Sequence, residues 1–412
     1  MENFKIRLRL KAFLVVIGWL SASFCLNAEE VDSISSDIIH RIEVETNPSF
    51  IIHTSRFLRG ENLNSKSMDY SNSVNFKYSF RFSPNTLTGK IYGSSYQGIG
   101  VSKFWFGNKK ELGNPTAVYL FQGARLATLM HNLTFNYEWN FGVSMGWHPY
   151  NYDFNSLNRI IGSKVNAYLN TNFYLSWRIF PKIDMNIGTS LAHFSNGNTK
   201  YPNAGLNTIG FKVGLVYNIN ESNIKDKYAI SSITVPNFRP FIDYDIVMFG
   251  SWRRKGVMVG DTKIAAPKAY PVLGFNLSPM YNISYKCRMG VSMDGFYDGS
   301  TDITGKLTRE TEEVKLYQPS FWKQLSLGLS ARAEYVMPYF TVGIGVGYNI
   351  LNSGHDSKGA YQILALKIDV TKNSFLHIGY SLKDFETPNF LMLGIGMRFN
   401  SKYPYFHGKR IR

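Results

Sequence analysis

Residues 193–207 read HFSNGNTKYPNAGLN, a short stretch that gathers a histidine, a serine and several amide side chains. Side chains two apart on a strand share a face, so His193 and Ser195 would stand side by side there. An imidazole within reach of a hydroxyl is what a general base needs to activate a serine for acyl transfer. On the following strand Asn207 shares parity with Ile209, Phe211, Val213 and Leu215, which sets it across the hairpin from His193. Rival chemistries have little support, because no GxSxG elbow, Walker loop, HExxH or dinucleotide glycine pattern occurs. The other histidines, His40, His53, His131, His148, His355, His377 and His407, are scattered, and His355 with Asp356 reads as an exposed loop pair. No zinc-type Cys/His spacing is present, and neither a metal nor a cofactor is expected.

The elements that must hold this stretch are strands. Of the 412 residues 15% are aromatic and only 18% charged, a balance that favours an all-β protein. From Leu133 to Trp147 the odd positions are Leu, Phe, Tyr, Trp, Phe, Val, Met and Trp, while the even ones are small or polar. Fifteen alternating residues is about twice the usual strand of a soluble sandwich, and aromatics at both ends fit the two girdles of a membrane barrel. The pattern recurs at Ile183 to Ser195, Asn207 to Ile219, Tyr339 to Ile350 and Phe390 to Phe399, and about sixteen such stretches can be drawn. The expected fold is an all-β, transmembrane antiparallel β-barrel. His193 and Ser195 take the parity of Ile183, Met185, Ile187 and Leu191, whereas Asp184, Asn186, Gly188 and Ser190 take the lumenal one. Three polar groups therefore cluster on a lipid-facing surface, where such groups are costly.

On HxSN at 193–196 followed by PNxG at 202–205, the segment resembles the PagL-type lipid A 3-O-deacylases, outer-membrane barrel esterases. The resemblance implies an eight-stranded core over residues 41–219, with Ser195 as nucleophile, His193 as general base, and Asn196, Asn203 and the Gly197 amide as oxyanion donors. The family's acidic third residue falls at position 207, which here is Asn207. An asparagine carbonyl can fix the imidazole tautomer but cannot offset the imidazolium charge. Barrel strands begin and end in the periplasm, so the seventh runs outward and delivers His193 and Ser195 to the outer rim. The ester-bearing lipid there is lipopolysaccharide, and Lys200 in the adjacent loop could meet one of its phosphates.

Residues 1–28 read as a secretory signal peptide, with Lys5, Arg7, Arg9 and Lys11 ahead of an apolar run and small residues ending at Ala28. Its removal leaves a strongly basic chain whose charges are spread among turns, which points to anionic lipid and away from nucleic acid. Only Cys287 then remains, so no internal disulfide forms. The expected organisation is a signal peptide at 1–28, a periplasmic segment at 29–40, a deacylase-like barrel half at 41–219, a connection at 220–237, a second half without the catalytic motif at 238–400, and a basic tail at 401–412. Two weak likenesses suggest related halves: YEWNFGVSM at 137–145 with YKCRMGVSM at 285–293, and the equal spacing after Pro181 and Pro338. By that spacing His193 falls on Ile350 and Ser195 on Asn352, so the second half lacks the site. Merging the halves into a single barrel leaves one seam and is the expected arrangement. The expected function is an outer-membrane serine esterase acting on lipid A of lipopolysaccharide, with oligomeric state open. The alternative is a non-catalytic barrel, either a pore or a lipopolysaccharide-binding structural protein.

Overall fold

The computed structural model describes residues 38–84, 86–93, 95–221, 234–259, 262–307, 314–352, 354, 358–385 and 387–402. The expected signal peptide, nearly all of the periplasmic segment, most of the connection and most of the basic tail lie outside the described residues.

Nine strands form the first sheet: β1 (Ile38–Thr46), β2 (Ser49–Ile52), β3 (Tyr70–Phe82), β4 (Tyr96–Trp105), β5 (Gly113–Met130), β6 (Leu133–Trp147), β7 (Val165–Phe180), β8 (Ile183–Ser195) and β9 (Leu206–Asn218). Each pairs antiparallel with its neighbour from β3 to β9, and β9 returns to β1, from Arg41 opposite Asn218 to Thr46 opposite Val213. Pro48 interrupts the first stave, and β2 continues it between β3 and β9. The ring therefore closes with eight staves. A second closed barrel follows, from β10 (Phe241–Arg253), β13 (Tyr270–Asn282), β14 (Cys287–Asp298), β17 (Leu325–Val336), β18 (Phe340–Asn352), β19 (Ala360–Asp369), β20 (Ser374–Lys383) and β21 (Thr387–Phe399), with β21 returning to β10. Two short hairpins, β11 (Gly256–Val259) with β12 (Thr262–Ala265) and β15 (Thr304–Leu307) with β16 (Val314–Tyr317), rise from its loops.

The single merged barrel expected from the sequence is thus corrected. The sixteen staves divide into two rings because each half carries a last strand that completes the hydrogen bonds of its own first strand, leaving no open edge in either. The two sequence likenesses also fall on unequal staves, fifth against third and seventh against fifth, so they are displaced by one hairpin.

Alternation sorts side chains as expected. On β8 the residues Ile187 and Leu191 are exposed on the outer face, and Asp184, Asn186 and Ser190 are buried in the lumen. The first lumen is filled by a charged cluster in which Lys77 meets Glu45 and Glu138 at 2.6 Å each. Lys212 also meets Glu45, lies 3.2 Å from Glu43 and 3.6 Å from Glu138, and Asn186 donates to Glu43 at 2.8 Å. In the second lumen Arg288 reaches Asp243, Asp245 and Glu334, and Lys367 bridges Asp245 and Glu334. Lys77, Lys212 and Arg288 are fully buried, so side chains occupy both lumens where a pore needs an aqueous path.

The barrels touch at both ends. Near the turn ends of β3 and β18, Tyr339 packs on Phe80 and Phe82, and Phe340 meets Trp139 edge-on with ring centres 5.2 Å apart. At the opposite rim the loop after β8 meets the ends of β10 and β21.

A buried charge that loses its partner is worth about 3–5 kcal/mol of destabilisation. Lys212→Met leaves Glu43 without an ion-pair partner and takes one of two from Glu45 and Glu138, and its barrel is expected to unfold at markedly lower urea than wild type, read by the gel shift between folded and heated forms.

Candidate active site

Phe194 lies between the two candidate catalytic residues and is fully buried. Its ring packs against Phe104, Phe106, Trp147 and Tyr168, with centres 5.0–5.7 Å away. With Phe194 pinned inward, His193 and Ser195 must point outward. Both are half-exposed on the apolar face with Ile187 and Leu191, as their parity predicts.

His193 stands opposite Asn207 in the β8–β9 ladder, and its Nδ1 lies 2.6 Å from Asn207 Oδ1. An amide oxygen only accepts, so the imidazole carries its proton on Nδ1 and leaves Nε2 as a lone-pair base. Ser195 is two residues on, roughly 6–7 Å along the same face. Among the described residues no hydrogen bond joins Ser195 Oγ to His193, an open geometry common before substrate arrives.

Sequence reasoning gave Gly205 no role, although it is the glycine of PNxG. Its φ of +76° is a left-handed conformation that favours glycine, and a Cβ there would sit 3.0 Å from His193 Cε1 and 3.1 Å from the Phe194 carbonyl oxygen. The ring rests against this bare backbone. Phe194 was missed as well, and the signal was one apolar residue at lumenal parity between two polar ones.

The loop 196–205 is tied to itself. Asn196 donates its backbone N–H to Asn203 Oδ1 at 2.9 Å and its Nδ2 to the Lys200 carbonyl at 2.7 Å, while Thr199 Oγ1 donates to the Asn196 carbonyl at 2.8 Å. The backbone N–H of Asn196 and one of its two side-chain N–H groups are thus already engaged. By contrast, the Gly197 N–H and Asn203 Nδ2 have no hydrogen-bond partner among the described residues. Gly197, at φ +62°, lies buried beneath Leu391 of the second barrel. Asn198 Nδ2 donates to the Asn389 carbonyl at 2.9 Å, Arg254 N–H donates to the Thr199 carbonyl and Tyr201 N–H to the Arg254 carbonyl, each at 2.9 Å. Lys200 sits in this same seam, half-buried.

The carboxylate missing at position 207 is not supplied from the lumen. Glu138, of lumenal parity, is committed to Lys77, Tyr96 and Asn172. A second Ser/His/Asp group, Ser67, His53 and Asp69, lies just beyond β2. There both Ser67 and Asp69 meet the same nitrogen, Nε2, so no carboxylate orients the imidazole from behind while it faces the serine. Among the described residues no three His, Cys, Asp or Glu side chains group to hold a metal.

Comparison with known proteins bears on this geometry. Residues 73–216 match the family model described as lipid A 3-O-deacylase (PagL), and residues 242–401 match that of the acyloxyacyl hydrolase C-terminal domain. No curated relative matches the chain significantly. Solved barrels are similar at low identity. Neisserial surface protein A is 8% identical over 45% of this chain and 100% of its own, at a TM-score of 0.28. The Pseudomonas putida toluene transporter TodX is 8% identical over 89% of this chain and 88% of its own, at 0.17. Omp33 of Acinetobacter baumannii is 7% identical over 88% of this chain and 99% of its own, at 0.15. Scores this low carry no argument about function. The two family matches, which fall on the two barrels in turn, do: the chain is an outer-membrane β-barrel that belongs to the PagL lipid A 3-O-deacylase family, in a form extended by the acyloxyacyl hydrolase C-terminal domain.

Proposed function

We propose that this protein is a serine esterase that removes an ester-linked acyl chain from lipid A in the outer leaflet. The observation that carries the reading is the His193–Asn207 hydrogen bond, which leaves the imidazole in the tautomer of a general base on the same lipid-facing surface as Ser195. A soluble hydrolase would hide this pair in a cleft. Here it opens toward the acyl chains of the membrane, where a lipid ester can reach it without leaving the bilayer.

In the proposed reaction Ser195 Oγ attacks the ester carbonyl carbon while His193 Nε2 takes its proton. The tetrahedral oxyanion is met by the Gly197 N–H and Asn203 Nδ2, whose orientation is held by the bond from Asn196 N–H to the other end of the same side chain. Collapse breaks the carbon–oxygen bond to the sugar, and His193 returns the proton to the leaving alkoxide. Water then attacks the acyl-serine with His193 again as base, which releases the fatty acid and restores the serine. Base catalysis of this kind supplies about 10²–10⁴, and one oxyanion donor about 10²–10³.

Asn207 in place of a carboxylate forgoes the stabilisation of the imidazolium. A hydrogen bond to a charged partner exceeds a neutral one by roughly 1–1.5 kcal/mol. The tautomer is already correct, so the deficit is smaller than the loss of about 10⁴ seen where an asparagine holds a protease histidine in the wrong tautomer.

Mass spectrometry of lipid A from cells expressing matched amounts of each barrel tests the reading. Wild type is expected to remove one acyl mass and Ser195→Ala none; an acyl loss that persists in Ser195→Ala would overturn the serine mechanism. Asn207→Asp, nearly isosteric, is expected to raise turnover about five- to tenfold, and a fall would show that Asn207 does more than orient the ring. Gly205→Ala pushes a methyl toward His193 Cε1 and is expected to lower turnover about 10²-fold with the barrel still folded.

A further inference from the structure

We propose that the two barrels jointly build a seat for a phosphate group of the lipid A headgroup, from Lys200 and Lys164 of the first barrel and Arg254 of the second. The inference rests on the esterase reading above and extends it, since it gives the second barrel a part in holding the substrate.

The seat is assembled by backbone. Lys200 and Arg254 form a parallel bridge, closed by the Arg254 N–H to the Thr199 carbonyl and the Tyr201 N–H to the Arg254 carbonyl, each at 2.9 Å. Gly162 lies so close beneath the loop that a Cβ there would collide with the carbonyl oxygens of Pro202 and Lys200, which brings the segment carrying Lys164 alongside. Arg254 is braced from behind, with Nε donating to the Ala266 carbonyl at 2.6 Å and Nη2 to that of Pro267. Both acceptors are neutral, so the guanidinium keeps its charge uncompensated and its remaining N–H groups available. Lys263 adds a further cation at the rim, over the Tyr201 ring at 5.5 Å.

Like charges gathered without a counter-ion cost stability. Among the described residues no carboxylate lies within ion-pair distance of Lys164, Lys200 or Arg254. Burial, together with the charges of Arg254 and Lys164, holds the Lys200 ammonium below the usual lysine range. Such a frustrated group is relieved by an anion. The seat lies five residues along the loop from Ser195, at the rim, so a lipid whose acyl ester meets Ser195 places its headgroup there. A phosphate ester satisfies three neighbouring cations better than a carboxylate, because it offers more acceptor oxygens and more charge.

Binding separates this inference from the chemistry. The full chain carrying Ser195→Ala, in nonionic detergent micelles, is titrated with bisphosphorylated lipid A and with the same lipid after enzymatic dephosphorylation. The phosphorylated form is expected to bind at least tenfold more tightly, and Lys164→Gln with Lys200→Gln is expected to erase the difference while leaving affinity for the dephosphorylated form unchanged. Equal affinity for the two lipids, or a preference that survives the double change, overturns the seat. A saturable shift in thermal unfolding with inorganic phosphate, lost in the double variant, with no preference between the two lipids, would reassign the seat to the free ion and overturn the headgroup assignment. Acyl release by the wild-type chain with phosphate-blind binding leaves the esterase and removes the seat; phosphate-dependent binding without acyl release does the reverse.

Discussion

In a closed sheet no residue chooses its side alone, and Phe194 makes the choice for both of its neighbours. Its ring fills a lumenal space bounded by Phe104, Phe106, Trp147 and Tyr168, and a one-residue slip would carry it into lipid and the catalytic pair into the aromatic core. The rest of the site follows from that packing. His193 comes to lie opposite Asn207, the loop must cross from one face-fixed strand to the next in ten residues, and the bare backbone of Gly205 gives the imidazole its room. The outward facing of the proposed catalytic side chains thus depends on an apolar one facing inward, and the lumenal ion pairs further down the barrel keep the same register.

Much of this was legible in the sequence because period-two alternation is written in it. The outward parity of His193, Ser195 and Asn207 followed from Ile187, Leu191, Ile209 and Phe211, and the lumenal fate of Glu138 from its place among small residues. What alternation cannot encode is which distant strand completes a ring. A strand shows two edges and no address, so the pairing of Thr46 with Val213 and of Tyr244 with Phe399, which makes two barrels of one chain, had no signal in composition or spacing. The loop is hard to read for another reason. Asn196 and Asn203 look alike as donors until the structure shows Asn196 tied through both its N–H and its side-chain amide, and amide side chains close turns as readily as they stabilise anions.

The second barrel bears no copy of the HxSN stretch, yet it meets the loop at Gly197, Asn198, Thr199 and Tyr201. Most of these contacts are made by main chain or to main chain. Such a grip tolerates change in side chains on either side while still fixing the loop in place. The aromatic contact at the far end, where Phe340 meets Trp139, gives the pair of barrels a second point of attachment and so resists their pivoting about the first.

The strand that carries Asn207 is also the strand that closes the first ring against β1. Until β9 has docked, His193 has no partner to set its tautomer and the loop has no far end. In the proposed mechanism, the base is therefore set in the same event that seals the sheet. A half-assembled chain waiting in the periplasm or at the insertion machinery would expose a serine without its base correctly set, and so would spare the phospholipid esters around it. Coupling the proposed site to closure of its own ring would act as a safeguard for the membrane without a separate inhibitory segment.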